Sequence, residues 1–368
     1  MHLLRYGGVQ KMFVNITDGL ERRGKVGNIA CLVFDGPKRI ENFKSDIKIV
    51  RLGLPVFDSY ILTTLMRVRE FPSFLWTMYK EKPDIVYPYQ GPIDQLMALV
   101  SGKLLGKKVI ARKYGEEHLE NTLNQLINRI SYHICDRIVT NFPEGKKELI
   151  AMKVSPQKIV YIPDGKEIKD YGSRLGKKEA KNRIGLDEND FVIGTVSRMD
   201  SVKNHEAIIR VLPEILIERK NAKFVIVGDA PKVSAYRKKL ANLVAELGLE
   251  KNIIFTGYRN DVADVLAAFD IFVHPSFSEG APGSVLEAMC AGLPIIASDV
   301  GGTKHLLKGD CGVLIPSNDL QKLSDALRDF MKNQKLRKEY GERAKKRIEK
   351  EFSHGAMLRH YEKFFTSF

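Results

Sequence analysis

The sequence predicts an α/β protein of two domains, each a parallel sheet covered by helices on both faces. Three observations carry this expectation. At 368 residues the chain is longer than one hydrophobic core ordinarily organises. Short apolar runs alternate with amphipathic helical stretches along most of its length, as crossover-connected parallel strands require. The alternation pauses over Lys166 to Asn189, a charged stretch without long apolar runs that reads as the linker into a second domain.

In the first half, Met1 to Tyr6 reads as a short strand that leads through Gly7 and Gly8 into a helix. That helix carries Val9, Met12, Phe13, Ile16 and Leu20 on one face. A glycine pair between strand and helix either lets backbone approach a bulky ligand or simply turns the chain. Gly24 ends the helix before strands over Asn28 to Phe34 and Ile47 to Leu52. A helical stretch from Tyr60 to Lys82, interrupted by Pro72, precedes a buried strand over Asp84 to Tyr89. Leu104 to Arg112 reads as strand, Leu123 to Ile134 as helix, and Arg137 to Asn141 and Ile159 to Pro163 as strands.

The second half repeats the alternation. Strands are expected at Phe191 to Val196, Lys223 to Val227 and Ile253 to Phe255, with helices over Asn204 to Arg219 and Ala235 to Leu247. Val262 to Phe269 continues the series. Gly312 to Ile315 reads as the last strand, and Leu320 to Glu351 as one long basic helix.

Composition excludes several classes. With 44% hydrophobic and 28% charged residues the chain reads as soluble and globular. No apolar run approaches the roughly 20 residues that span a bilayer, and no cleavable signal peptide is apparent. Four cysteines, Cys31, Cys135, Cys290 and Cys311, form no Cys-x-x-Cys pair, which favours reduced thiols in the cytosol over disulfides or zinc. The net charge is +14. No arginine-rich tract with interleaved aromatics accompanies it, so anionic lipid or a negatively charged glycan is the expected partner and nucleic acid is not.

The most informative segment runs from Ser278 to Gly302, SEGAPGSVLEAMCAGLPIIASDVGG. It reads as a strand end, a tight polar loop, a short helix starting near Ser284, a stop at Gly292 and a buried strand at Leu293 to Ala297. Such a unit gathers free backbone N–H groups and the positive end of a helix dipole at one spot, which suits a diphosphate. Glu279 and Glu287 bracket it. Glu279 stands either as a ligand for neutral hydroxyls or as an exposed loop acid. Glu287 has its own alternative, because Ser284-Val-Leu-Glu287 is also a capping-box sequence. Arg198 and Lys203 follow a strand's carboxyl end. A lysine at the opening of the next helix opposes its dipole unless an anion lies nearby.

These motifs resemble the signature of retaining glycosyltransferases of family 4. That signature is a pair of Glu seven residues apart, set between Ser-Glu-Gly-x-Pro and Leu-Glu-Ala-Met-x-x-Gly-Leu-Pro and closed by Asp-Val-Gly-Gly. The resemblance implies the GT-B fold, two Rossmann-like domains facing across a cleft, with the C-terminal helix crossing back to the N-terminal domain. It implies an acceptor-binding domain of residues 1–165 plus 352–368 and a nucleotide-sugar-binding domain of residues 166–351.

By the same resemblance, Arg198 and Lys203 clamp the donor diphosphate, so that no metal or other cofactor is required. Glu279 contacts the transferred sugar, and Glu287 accepts from the ribose hydroxyls. Backbone at Gly7, Gly8, Gly228, Gly280, Ala281, Pro282, Gly283, Ser284 and Val285 approaches sugar and phosphate, while Tyr258 and Arg259 flank the base. Arg198, Lys203 and Glu279 are the expected catalytic residues. Tyr87, Tyr89, Gln90, Arg112, Lys113 and Tyr114 stand where relatives often carry histidine, which leaves His118 as an acceptor contact or a surface residue. A second departure is His305, where a Glu is common.

The implied activity is retaining transfer of a hexose from a nucleotide diphosphate sugar to a glycan or lipid-linked acceptor, in cell-surface polysaccharide or glycolipid synthesis. The implied setting is the cytoplasm, at the inner face of the membrane. A nucleotide-sugar epimerase and a non-catalytic sugar-binding subunit are the alternatives. Phe71, Phe74, Leu75 and Met78 have helical spacing and read as core. Trp76 and Tyr79 lie off that face beside Lys80 and Lys82, as a membrane contact or as further packing.

Overall fold

The computed structural model describes residues 16–17, 19–21, 23–24, 30–33, 48–51, 60–88, 91–113, 115, 122–172, 175–229 and 235–367. The chain forms two compact units, one of Met1–Pro163 with Met357–Phe368 and one of Asp164–Ala356. Among the described residues no helix is long and apolar enough to cross a membrane.

In the first unit β1 (Ala30–Val33) pairs in parallel with β2 (Lys48–Arg51). Helix α1 (Tyr60–Glu81) follows without the expected interruption, running through Pro72. Pro72 is exposed, so water can serve the carbonyl that loses its partner. The opposite face buries Phe74 and Met78 completely and Phe71 and Leu75 in part. A second sheet, in the order β3-β4-β5-β6 and parallel throughout, contains β3 (Ile85–Val86), β4 (Lys108–Lys113), β5 (Arg137–Thr140) and β6 (Ile159–Tyr161). Helices α2 (Pro92–Leu104), α3 (Thr122–Ile134) and α4 (Pro143–Ala151) connect the strands.

One expectation fails here, since Leu104 ends α2 and does not open a strand. The apolar run conceals a turn at Gly106, whose φ of +65° glycine adopts without a Cβ penalty. Period-two alternation then fills both faces of the sheet. Val109, Ala111 and Ile138 join one cluster, while Ile110 and Val139 join another with Ile16, Leu20, Met357, Leu358 and Tyr361.

In the second unit the stretch read as linker contains two described elements. Ile168–Tyr171 forms a 3₁₀ turn and α5 (Lys177–Arg183) a short helix. Then come β7 (Phe191–Val196), α6 (His205–Glu218), β8 (Ala222–Val227), α7 (Ala235–Glu246), β9 (Ile253–Gly257), α8 (Val262–Ala267) and β10 (Ile271–His274). Next are α9 (Gly283–Cys290), β11 (Ile295–Ser298), α10 (Thr303–Leu306), β12 (Val313–Ile315), α11 (Leu320–Lys332) and α12 (Gln334–Glu351). The run expected as one long helix is two. Asn333 divides it, its side chain accepting from the Leu336 N–H at 2.9 Å, and such caps start helices. Phe352 is buried in this unit's core, and α13 (His354–Thr366) returns the chain to the first unit at Met357.

The six strands lie in the order β12-β11-β10-β7-β8-β9, all parallel. The chain therefore builds outward from β7 through β8 to β9, then returns to β7's other side and builds outward again. The helices that follow β7 and β10, α6 and α9, consequently pack on opposite faces of the sheet. In open parallel sheets that reversal, at the strands' carboxyl ends, is where a crevice forms.

Candidate functional site

The site grows from that reversal. Lys203 follows β7 and Glu279 follows β10, and these two strands are neighbours in the sheet. Backbone ties the two loops together, the Phe277 N–H donating to the Val202 carbonyl at 2.8 Å. Lys203 Nζ and Glu279 Oε1 stand 2.6 Å apart. Lys203 does not sit on the first turn of α6 as the spacing implied. It closes a 3₁₀ turn, Ser201–Lys203, and Asn204 in left-handed conformation (φ 49°) separates it from the helix. The opposed dipole is answered by Glu279.

Glu279 is buried, 9% exposed, which removes the reading as an exposed loop acid. Its Oε1 also lies 2.6 Å from His274 Nε2. A carboxylate oxygen only accepts, so Nε2 of His274 carries the shared proton. Burial pushes the Glu279 carboxyl up, but His274 and Lys203 outweigh it and hold the group well below the usual carboxylate range. His274 is the residue that sequence reasoning missed at this position. Its only signal was the strand-terminal place two residues before Ser276, which also contacts Nε2 at 3.1 Å.

Behind Lys203 lies His205, 1% exposed, with Nε2 2.8 Å from Ser197 Oγ and its backbone N–H donating to Tyr236 Oη at 3.1 Å. Burial first, then the positive fields of His274 and Lys203, lower its pKa to about 3. It is a neutral wedge under the site.

Glu287 stands on α9. That helix begins at Gly283 with Pro282 as its cap and no side-chain capping bond, so the capping-box alternative is excluded: Ser284 is already inside the helix. Glu287 Oε1 instead accepts from Lys166 Nζ at 2.6 Å and from Tyr171 Oη at 3.1 Å. Both donors come from the supposed linker. Burial pulls the Lys166 ammonium down, yet Glu287 and Tyr171 outweigh it and its pKa stands above that of ordinary lysine. At the start of α9 the Val285 and Leu286 N–H groups donate to the Pro282 carbonyl at 3.1 and 3.3 Å, which leaves those of Gly283 and Ser284 open, and the Gly302 N–H holds the preceding loop by its Gly280 carbonyl at 2.7 Å. Ala281, Gly283 and Ser284 are partly exposed there, and Pro282 and Val285 are buried.

Other expected residues line the same carboxyl edge. Gly228 directly follows β8 at φ +137°, and a Cβ on it would stand 1.9 Å from the Ser197 carbonyl, so glycine is required where the chain leaving β8 passes the loop carrying Arg198. Arg198 is 78% exposed along its side chain and pairs with Asp200 at 3.0 Å. Arg259 is held in its own turn by a two-pronged contact with Asp261, at 2.8 and 2.6 Å, beside a half-exposed Tyr258. His305 packs edge-on against Phe352 and its carbonyl accepts from Arg347. Gly7, Gly8, Tyr89, Gln90, Tyr114 and His118 lie outside the described residues. Among those described, no group of three or more His, Cys, Asp or Glu side chains is arranged to hold a metal ion.

Parallel sheets in two units, with a cation and an acid paired at one reversal point, define a class that comparison makes specific. The structure superposes on that of the Anabaena protein HepE in complex with UDP-glucose with a TM-score of 0.83, at 19% identity over 99% of this chain and 97% of that one. The architecture is GT-B.

Its family follows from sequence. Residues 6–168 match the profile of Glycosyltransferase Family 4 and residues 176–347 that of Glycosyl transferases group 1. The UDP-Gal:alpha-D-GlcNAc-diphosphoundecaprenol alpha-1,3-galactosyltransferase of Escherichia coli is 30% identical over 280 residues, 72% of this chain and 71% of that protein. The lipopolysaccharide glucosyltransferase WaaG of Escherichia coli K12 is 33% identical over 187 residues, 50% of this chain and 46% of WaaG. The chain belongs to glycosyltransferase family 4.

Proposed function

We propose that this enzyme transfers a hexose from a nucleotide diphosphate sugar to a hydroxyl of a glycan or lipid-linked acceptor, with retention at the anomeric carbon and without a metal ion. The observation that carries the reading is the 2.6 Å contact of Lys203 with Glu279 at the strand-order reversal, beside the amide-rich start of α9. Lys203 and Arg198 meet the diphosphate, Arg198 as a planar fork and Lys203 as a point charge. Glu279 faces the sugar, and Glu287 takes the ribose hydroxyls. Backbone at Gly228 and from Gly280 to Val285 approaches phosphate and sugar, with Tyr258 and Arg259 beside the base. The second unit is then the donor domain and the first the acceptor domain.

Retention without a covalent carboxylate intermediate requires attack on the face from which the leaving group departs. The acceptor oxygen bonds to the anomeric carbon as the bond from that carbon to the phosphate oxygen breaks. The hydroxyl proton passes to the departing phosphate. Negative charge grows on the diphosphate, so Arg198 and Lys203 stabilise the transition state more than the ground state.

The acceptor class draws support from relatives whose acceptors are a diphosphoundecaprenol-linked sugar and lipopolysaccharide. Trp76 and Tyr79 are each 57% exposed, stack at 5.8 Å and carry Lys80 over the Trp76 ring at 5.1 Å. An aromatic pair capped by a cation suits an anionic membrane surface, and this supports the reading of an enzyme working at the cytoplasmic leaflet.

The test is to incubate the chain with UDP-, GDP- and ADP-hexoses, with and without a lipid-linked sugar acceptor, and read the products by proton NMR. An α-linked product from an α-linked donor is expected. Change in the free sugar nucleotide alone supports the epimerase instead, and no turnover with any donor supports the non-catalytic subunit.

A further inference from the structure

Lys166 is built into the second unit from two sides. Its backbone is clamped, the N–H donating to the Phe352 carbonyl at 2.9 Å and the carbonyl accepting from the His354 N–H at 2.8 Å. Its side chain is 8% exposed, and its ammonium lies 5.7 Å from the centre of the Tyr171 ring. The same ammonium stands 3.5 Å from where a Cβ on Gly283 would be. A buried cation thus lies against the first turn of α9, an end that already concentrates positive charge. Such a placement is tolerated only when a carboxylate answers it, and Glu287, on the next turn, does.

Both donors fall on one oxygen of that carboxylate. Lys166 and Tyr171 meet Oε1, while Oε2 has no partner among the described residues. Each carboxylate oxygen accepts about two hydrogen bonds. We infer that Lys166 is a positioning residue: with Tyr171 it locks Oε1 of Glu287 and so turns Oε2 toward the ribose hydroxyls of the donor nucleotide. This rests on the donor site proposed above and adds to it the residue that sets ribose recognition. The charged stretch read as the linker into the second domain thereby supplies part of the nucleotide pocket.

The test is calorimetric titration of the full chain with UDP, its 2′-deoxy and 3′-deoxy analogues, and inorganic pyrophosphate, using the GDP or ADP series where UDP does not bind. The wild type should bind at least one deoxy analogue about ten- to a hundredfold more weakly than the parent, as loss of a hydrogen bond to a charged group predicts. In Lys166→Met that ratio should fall to about threefold or less, with pyrophosphate binding unchanged. Tyr171→Phe removes a single hydroxyl from the same oxygen and should lower the ratio part of the way. It carries the test if Lys166→Met does not fold.

A full ratio retained in both variants overturns the inference and leaves Lys166 as a tether. Pyrophosphate weakened in step with UDP, the ratio being kept, also overturns it and makes Lys166 a phosphate cation. A wild type that binds none of the three nucleoside diphosphates overturns the donor-site reading itself, and this role with it.

Discussion

Lys203 Nζ and Glu279 Oε1, contributed by loops 76 residues apart in sequence, share a hydrogen bond of 2.6 Å at the place where the strand order reverses. Neither residue is isolated. His274 donates to the same oxygen, so one buried carboxylate atom is held from two directions. An acid pinned in this way is preorganised for the transfer proposed above, which would need little rearrangement as charge develops.

Lys203→Ala should lower turnover about a hundredfold or more, in the range found on deleting one preorganised transition-state contact. Affinity for the nucleoside diphosphate should fall less, since Arg198 and the α9 amides remain. Arg198→Ala should show the same split with a smaller loss of folding stability, its side chain being 78% exposed. Steady-state kinetics with parallel nucleotide titrations measure both. Equal losses in kcat and affinity would make the two cations simple anchors.

Acid should destabilise the protein before the ordinary carboxylate range is reached. His205 has a folded pKa near 3 against an ordinary value of 6.5, so between those values the unfolded chain binds one more proton. Its contribution is complete above about pH 6.5 and is lost on acidification at about 1.4 kcal/mol per pH unit, ending near pH 3. Glu279, also depressed, adds a loss of the same sign that starts only below its ordinary value of 4.5. Urea midpoints between pH 7 and pH 4.5 should fall steadily in the wild type and more gently in His205→Gln. Parallel pH dependences in the two proteins would contradict the buried neutral imidazole.

Gly228→Ala should be severe. The new Cβ meets backbone at 1.9 Å in a conformation, φ +137°, that side chains rarely adopt, so the loop bearing Arg198 must move, at about 3 kcal/mol or more. Gly309→Ala provides the contrast. It shares a positive φ, +75°, but faces open space, and should lose only about 1–2 kcal/mol. Thermal unfolding of both variants checks the ranking, and donor affinity should drop in the first alone.

Substituting Trp76 and Tyr79 together by Ser should leave folding and soluble-acceptor turnover within a factor of about two, because exposed residues contribute little to stability. Binding to anionic vesicles should fall about tenfold or more, as loss of two apolar contacts with the interface predicts. Co-sedimentation with phosphatidylglycerol vesicles reads this directly. Undiminished sedimentation would remove the patch from the membrane reading.

Much of the fold was legible because period and punctuation reported it. Alternation at Val109, Ile110 and Ala111 and the helical face of Phe74 and Met78 are local patterns, each fixed by which side chains must leave water. What failed locally was punctuation carried by one residue within an apolar or basic run. Gly106 hid a turn, and Asn333 hid a cap that splits one helix into two. Of the site, Glu279, Glu287 and Lys203 were marked by their setting. His274, His205 and Lys166 were not, since a histidine at a strand end and a lysine in a charged stretch carry no sign of burial.

The sequence by itself determined that strands and helices alternate in two halves, that a polar loop opens onto a short helix near Ser284, and that two acids flank it. Those are properties of neighbours along the chain. Only the tertiary structure decided what each charge answers. Glu279 is matched by Lys203 and His274, and Glu287 by Lys166 and Tyr171, because buried carboxylates must find donors wherever the packing of distant strands and turns presents them.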